Sequence, residues 1–125
     1  MSVLYDAGAL IAAERNVRAL WADHRARLEA GSVPLTTAPV VAQVSRNVRQ
    51  VQLRRFLRGC ETVEFLATEG HDVGSLLARS GAADVVDAHV VLVASRRGCP
   101  VLTSDPADLG QLSQLMSPPV EIKVV

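Results

Sequence analysis

Short apolar runs and stretches of helical periodicity alternate along the whole chain. Val3–Leu4–Tyr5 reads as a strand and Gly8–Glu14 as a short helix after it. Over residues 16–30, Val17, Leu20, Trp21 and Leu28 fall on one helical face, and Gly31 stops the helix. Val33–Thr36 is a short strand. A helix then runs from Pro39 through about Ser45, with Thr36 or Thr37 as N-cap and the proline tolerated in the first turn. Residues 48–58 predict a helix with Leu53, Phe56 and Leu57 inward and Arg54, Arg55 and Arg58 outward. Thr62–Leu66 alternates as a strand, and residues 70–80 predict a helix ending before Gly81. Val101–Thr103 is a strand, Pro106–Met116 a helix, and Val120–Val125 a last strand after Pro118–Pro119.

The stretch at 84–97 reads two ways. Its five valines between residues 85 and 93 favour a strand. It is nevertheless too long for one. Asp84 suits an N-cap, Gly98 a C-terminal stop, and Arg96 and Arg97 sit where the last turn's carbonyls favour cations. A helix is expected, apolar nearly all round and therefore buried in the domain or in a dimer.

Strands and helices alternating at these lengths define an α/β fold with a parallel sheet flanked by helices. No internal repeat or linker interrupts the sequence, so a single domain over residues 1–125 is expected. In such sheets ligands sit beyond the carboxyl ends of the strands. That rule directs attention to the acids. Asp6 directly follows the first apolar strand, and Asp105 and Asp108 follow Val101–Thr103. Asp84 and Asp87 open the valine-rich helix three residues apart, on one side of it. Each of these aspartates also fits a helix cap or first-turn position, where a carboxylate is favoured. Capping and chemistry are compatible, because a cap fixes the direction of a carboxylate. Together the acids would repel one another unless a divalent cation held them, and an all-oxygen set suits Mg²⁺ or Mn²⁺.

Composition narrows the classes. Hydrophobic residues make up 49% of the chain, enough for a real core. No apolar run reaches the roughly 18 residues of a spanning helix, and MSVLYDAG lacks the pattern of a signal peptide. A cytoplasmic protein without membrane contact is expected. Cys60 and Cys99 have neither disulfide-framework nor metal-ligand spacing and read as small apolar fillers. His24 and His71 read as surface residues, and His89 lies two residues past Asp87, rotated away from it. Ser104, beside Asp105, is placed to hydrogen-bond a phosphate or a water. No phosphate loop, HExxH or GxSxG motif is present.

The net charge of zero hides a split. Residues 1–60 hold nine arginines against four acids, and residues 61–125 hold four cationic residues against nine acids. Arg46, Arg49, Arg54, Arg55 and Arg58 fall within thirteen residues and are candidates for holding a nucleic-acid backbone. Only four aromatics are present (Tyr5, Trp21, Phe56 and Phe65), which argues against an extended base-stacking platform.

Taken in order, three segments resemble the PIN-domain ribonucleases, specifically the VapC-type toxins of toxin–antitoxin pairs. VLYDAGALIAAERN is similar to the family's strand–Asp–helix opening. TTAPVVAQVSRN is similar to the segment that normally carries a glutamate. ADVVDAHVVLVASRRGCPVLTSDPADL is similar to the Asp-bearing helix and the strand ending in Thr-x-Asp. The resemblance spans nearly the whole chain. It implies a PIN-like three-layer sandwich with a central parallel sheet of four to five strands. It also implies an endoribonuclease that uses Mg²⁺ or Mn²⁺, with Asp6, Asp87 and Asp105 as metal ligands and Asp84 and Asp108 beside them. A cognate antitoxin lying in the active-site groove and a homodimer are implied as well. Gln43 stands where the family usually has glutamate, keeping a carbonyl acceptor without the charge. The alternative reading is a weakened or non-catalytic PIN-like module that binds RNA or the antitoxin.

Overall fold

The first strand is central because its residues are apolar on both faces. Val3, Leu4 and Tyr5 are all fully buried, as expected of a strand covered by helices above and below. The structure, a computed structural model, describes residues 2–125. Its elements in chain order are β1 (Leu4–Tyr5), α1 (Ala7–Glu14), α2 (Arg18–Glu29), β2 (Leu35–Thr37), α3 (Ala38–Val44), α4 (Val51–Leu57) and β3 (Glu61–Val63). A 3₁₀ turn (Ala67–Glu69) then leads to α5 (Gly70–Ser80), α6 (Val85–Arg97), β4 (Val101–Thr103), α7 (Ala107–Gln114) and β5 (Ile122–Val124).

All strand pairings among the described residues are parallel, in the order β3-β2-β1-β4-β5. Helices α1 to α4 pack mainly on one another, as do α5 to α7, and α1 and α6 each also rest on strands of the sheet. The expected α/β sandwich with a five-stranded parallel sheet is therefore what the chain forms. The chain runs from β1 outward to β3, then returns across the sheet to β4 on the other side of β1. The order reverses between β1 and β4, so a crevice opens beyond their carboxyl ends.

The valine-rich segment is a helix. Seven consecutive residues, Ala88 to Ala94, are buried within the domain. Asp84 caps its start, accepting from the Val86 and Asp87 N–H groups at 2.8 and 3.1 Å. Gly98, at φ 65°, ends it in the left-handed conformation that glycine adopts without strain. Thr37 proves to be the N-cap of α3.

Two expectations on the second helix are corrected. Val17 and Leu28 lie exposed, while the buried face is formed by Leu20 and His24. His24, expected at the surface, is only 3% exposed. Its Nδ1 lies 2.9 Å from the Tyr5 hydroxyl, and its ring stacks on Phe56 at 3.9 Å between centroids. The strand buries Tyr5, and the hydroxyl needs a partner there, which the histidine supplies. Burial lowers the His24 pKa and so favours the neutral ring. Among the described residues no helix is long and apolar enough to cross a membrane.

Candidate active site

The two central strands deliver their following residues to the same place. β1 pairs with β4 in register Leu4↔Val101 and Tyr5↔Leu102, so Asp6 and the Thr103–Asp105 turn emerge side by side. Asp6 is held extended at φ −88° and ψ −173°, and its Oδ1 accepts the Ala9 N–H at 3.0 Å. It is thus the N-cap of α1, with its direction set by the helix it starts. Across from it, the Thr103 hydroxyl accepts the Asp105 N–H at 3.0 Å and also hydrogen-bonds to Asp6. Asp105 in turn accepts weakly from Ala107 N–H at 3.3 Å, so α7 begins one residue later than a simple Asp105 cap predicts.

A cavity of about 290 Å³ lies over these ends, and its walls include Asp6, Asp84, Asp87, Asp105, Asp108 and Gln43. Five carboxylates, from the end of β1, the start of α6, the β4–α7 turn and the first turn of α7, thus share one cavity with the amide on α3. Among the described residues none of the five forms an ion pair. Burial, the neighbouring Asp84, and then Asp108, Asp6 and Asp105 push Asp87 up to about 6. Burial likewise raises Asp6, against the opposing hydrogen bonds from Thr103, Ala9 and Gly8. The mutual repulsion that raises Asp87 is what a cation in the cavity would relieve. The donor set, all oxygen, fits Mg²⁺ or Mn²⁺ in chemistry. Its present arrangement is open: no three His, Cys, Asp or Glu side chains among the described residues are gathered closely enough to hold one ion.

Gly8 is in this cavity for a steric reason. A Cβ there would collide with the Ser104 hydroxyl and lie 3.0 Å from the Ser104 backbone nitrogen. The glycine lets α1 begin hard against the β4–α7 turn, which keeps Asp6 and Asp105 close. Gly8, Thr103 and the exposed Ile11 are site residues that the sequence reading passed over. The Asp-x-Gly and Thr-x-Asp spacings were the available signals for the first two. Ser104 itself is exposed and is not among the residues lining the cavity.

The arginines are placed elsewhere. None of Arg46, Arg49, Arg54, Arg55 and Arg58 lines the acidic cavity. Arg54 is turned to the Val48 carbonyl, and the Arg55 guanidinium lies 5.8 Å from the centre of the Trp21 ring. His89 points away from the carboxylates of the cavity, as expected, with Nε2 3.3 Å from Glu69 and its ring stacked on Phe65. Cys60 is an inert filler: burial pushes its thiol up to about 12.

No protein-family model matches the sequence, and no curated protein sequence does. Solved structures do share its shape. The crystal structure of VapBC2 from Rickettsia felis bound to a DNA fragment from their promoter matches at a TM-score of 0.71 and 14% identity. That match covers 100% of this chain and 99% of the other. PAE2754 from Pyrobaculum aerophilum matches at 0.64 and 16% identity, covering 97% of this chain and 83% of that one. At such identities the likeness establishes the fold.

Proposed function

We propose that this protein is a metal-dependent endoribonuclease of the toxin–antitoxin kind. The observation that carries this reading is the convergence of Asp6, Asp84, Asp87, Asp105 and Asp108 on one cavity without any protein cation among them. Asp6, Asp87 and Asp105 would hold the ion. Bound there, Mg²⁺ or Mn²⁺ supplies electrostatic stabilisation of the phosphodiester's developing charge and a more acidic water. The protein's own residues do the rest. Asp6 and Asp84 are fixed by backbone N–H groups and present oriented oxygens. Asp105 or Asp87 would orient the attacking water. The exposed arginines of the α3–α4 region would hold RNA phosphates at a distance from the carboxylates, with salt-dependent affinity. A cognate antitoxin is the inferred protein partner. Val48, 82% exposed, and Val51 offer apolar surface for a second copy.

The test is RNA cleavage in Mg²⁺ or Mn²⁺ by the wild type, Asp6→Asn and Asp87→Asn. Each substitution is expected to lower the rate by about 100-fold or more. Equal rates in all three would end the proposal. A second reading, a non-catalytic RNA- or antitoxin-binding module, draws on Gln43 in the cavity wall and the open spacing of the acids. Titration separates the two, since such a module binds no divalent cation at millimolar concentrations.

A further inference from the structure

On the α2–α4 side of the molecule, sharing no wall residue with the acidic cavity, lies a cavity of about 510 Å³. Its walls include Trp21, His24, Leu28 and Gly59, with Arg25 and Arg55 as its charged members. From these features we infer that this cavity is a binding site for an unpaired nucleotide, its base against the Trp21–Arg55 wall and its phosphate between Arg25 and Arg55.

The wall is rigid and rich in π surface. The Trp21 ring is fixed by its Nε1–H donating to the Ala13 carbonyl at 3.0 Å and by an edge contact with Phe56 at 5.0 Å between centroids. His24 has both ring nitrogens engaged, one by the Tyr5 hydroxyl and one by the Phe56 backbone. It is therefore a fixed part of the wall and not a ligand in waiting. Gly59 packs hard against two other wall residues: a Cβ there would lie 2.8 Å from Leu28 Cδ1 and 2.9 Å from His24 Nε2.

Charge selects the ligand. No acidic residue is among the wall residues. Among the described residues Arg25 pairs with Glu29 alone, in a solvent-exposed contact at 2.9 Å that a phosphate can displace. The guanidinium of Arg55, already parked over an indole, offers its other face to a base. A ligand that is flat and anionic at once is a nucleotide. The site lies in the arginine-rich first half of the chain. That the nucleotide belongs to an RNA strand rests on the ribonuclease reading. The scarcity of aromatics excludes a long stacking platform but not one such pocket.

Trp21 is the only tryptophan in the chain, so its fluorescence reports this cavity alone. The experiment titrates the whole protein, in EDTA, with a short single-stranded oligoribonucleotide and with a duplex of the same sequence. The single strand is expected to quench Trp21 saturably, and the duplex, whose bases are already stacked, is not. Arg55→Gln and Ala22→Glu, both at exposed helix positions, are each expected to raise the single-strand Kd about fivefold or more. Absent quenching, equal quenching by the duplex, or no response to either substitution would overturn the inference. So would a fluorescence change that follows protein concentration without RNA, which would mark a protein interface. Because EDTA removes divalent cations and the readout is Trp21, a failed cleavage assay and a failed titration are distinguishable results.

Discussion

The two ends of α6 treat negative charge in opposite ways. At its C-terminal end Arg96 holds both Glu69 and Asp72 at 2.8 Å, and Arg97 holds Glu61 at 2.8 Å. Glu69 is only 4% exposed. Burial pushes it upward, but the Leu66 N–H, His89 and Arg96 outweigh that and leave it below the usual carboxylate range. At the N-terminal end Asp84 and Asp87 face three more aspartates with no arginine, and Asp87 is pushed up to about 6. One helix thus carries a structural ion-pair network and an unneutralised acid cluster about 13 residues apart. The helix dipole favours both arrangements, cations at the end and anions at the start, but only modestly. The difference is one of pairing: arginines meet the acids at one end of the helix, and none meets those at the other. Those left unneutralised are the ones available to an outside cation.

The sharpest way to break this contrast is to put an arginine among the acids. Ile11 is 42% exposed on α1 and lines the acidic cavity. Ile11→Arg is expected to abolish divalent-cation binding by calorimetry, lower RNA cleavage about 100-fold or more, and bring Asp87 down toward the ordinary carboxylate range. Wild-type binding and cleavage in this variant would show that the ion, if any, sits elsewhere.

The converse change strips the paired end. Arg96→Ala leaves Glu69 buried without its cation. A fully buried broken pair costs more, but Arg96 is itself half-exposed, so a loss of about 2 kcal/mol in urea denaturation is expected. A loss near zero would mean that His89 and the Leu66 N–H suffice for Glu69.

Acidity offers a smaller, signed test. Asp87 titrates higher in the folded protein than in the unfolded chain, so the folded state binds the proton more tightly. In EDTA its contribution is neutral below about pH 4, where both states are protonated. It becomes destabilising as pH rises toward about 6 and is constant above that. Asp87→Asn removes this penalty. Its Tm is therefore expected to gain on the wild type between pH 4 and pH 7, and a constant difference across that range would contradict the placement of the acids. The smallest effect concerns Gln43→Glu, which adds a sixth carboxylate to the cavity wall. Divalent-cation Kd is expected to fall several-fold by calorimetry; an unchanged value would mean that position 43 does not feel the ion.

Much of this architecture was legible from patterning because the strands and helices have separate periods and clean stops. Gly81, Asp84 and Gly98 marked element boundaries through cap chemistry alone, and Thr36–Thr37 narrowed a fourth to two residues, of which Thr37 is the cap. The rule that ligands sit at strand ends directed attention to Asp6 and Asp105, and the adjacency of β1 and β4 brings them together. What patterning missed depends on tertiary neighbours. His24 looked like a surface residue because nothing local reveals that Tyr5, nineteen positions earlier, is buried with its hydroxyl unpaired. Glu69 sits in the polar run ATEGHD, and its burial is decided by Arg96 from a different helix. Closeness in sequence groups the five arginines as a block, whereas the fold turns Arg55 onto Trp21 and leaves all five off the acidic cavity's walls.

The order of strands has a consequence for how the protein comes into being. Asp6 precedes β4 in the chain by most of the fold, yet β1, the strand it follows, is two residues long and wedged between β2 and β4. It gains its second flank only when Val101–Thr103 has emerged. The cavity around Asp6 is therefore completed only when β4 docks beside β1, which ties its formation to closure of the whole sheet.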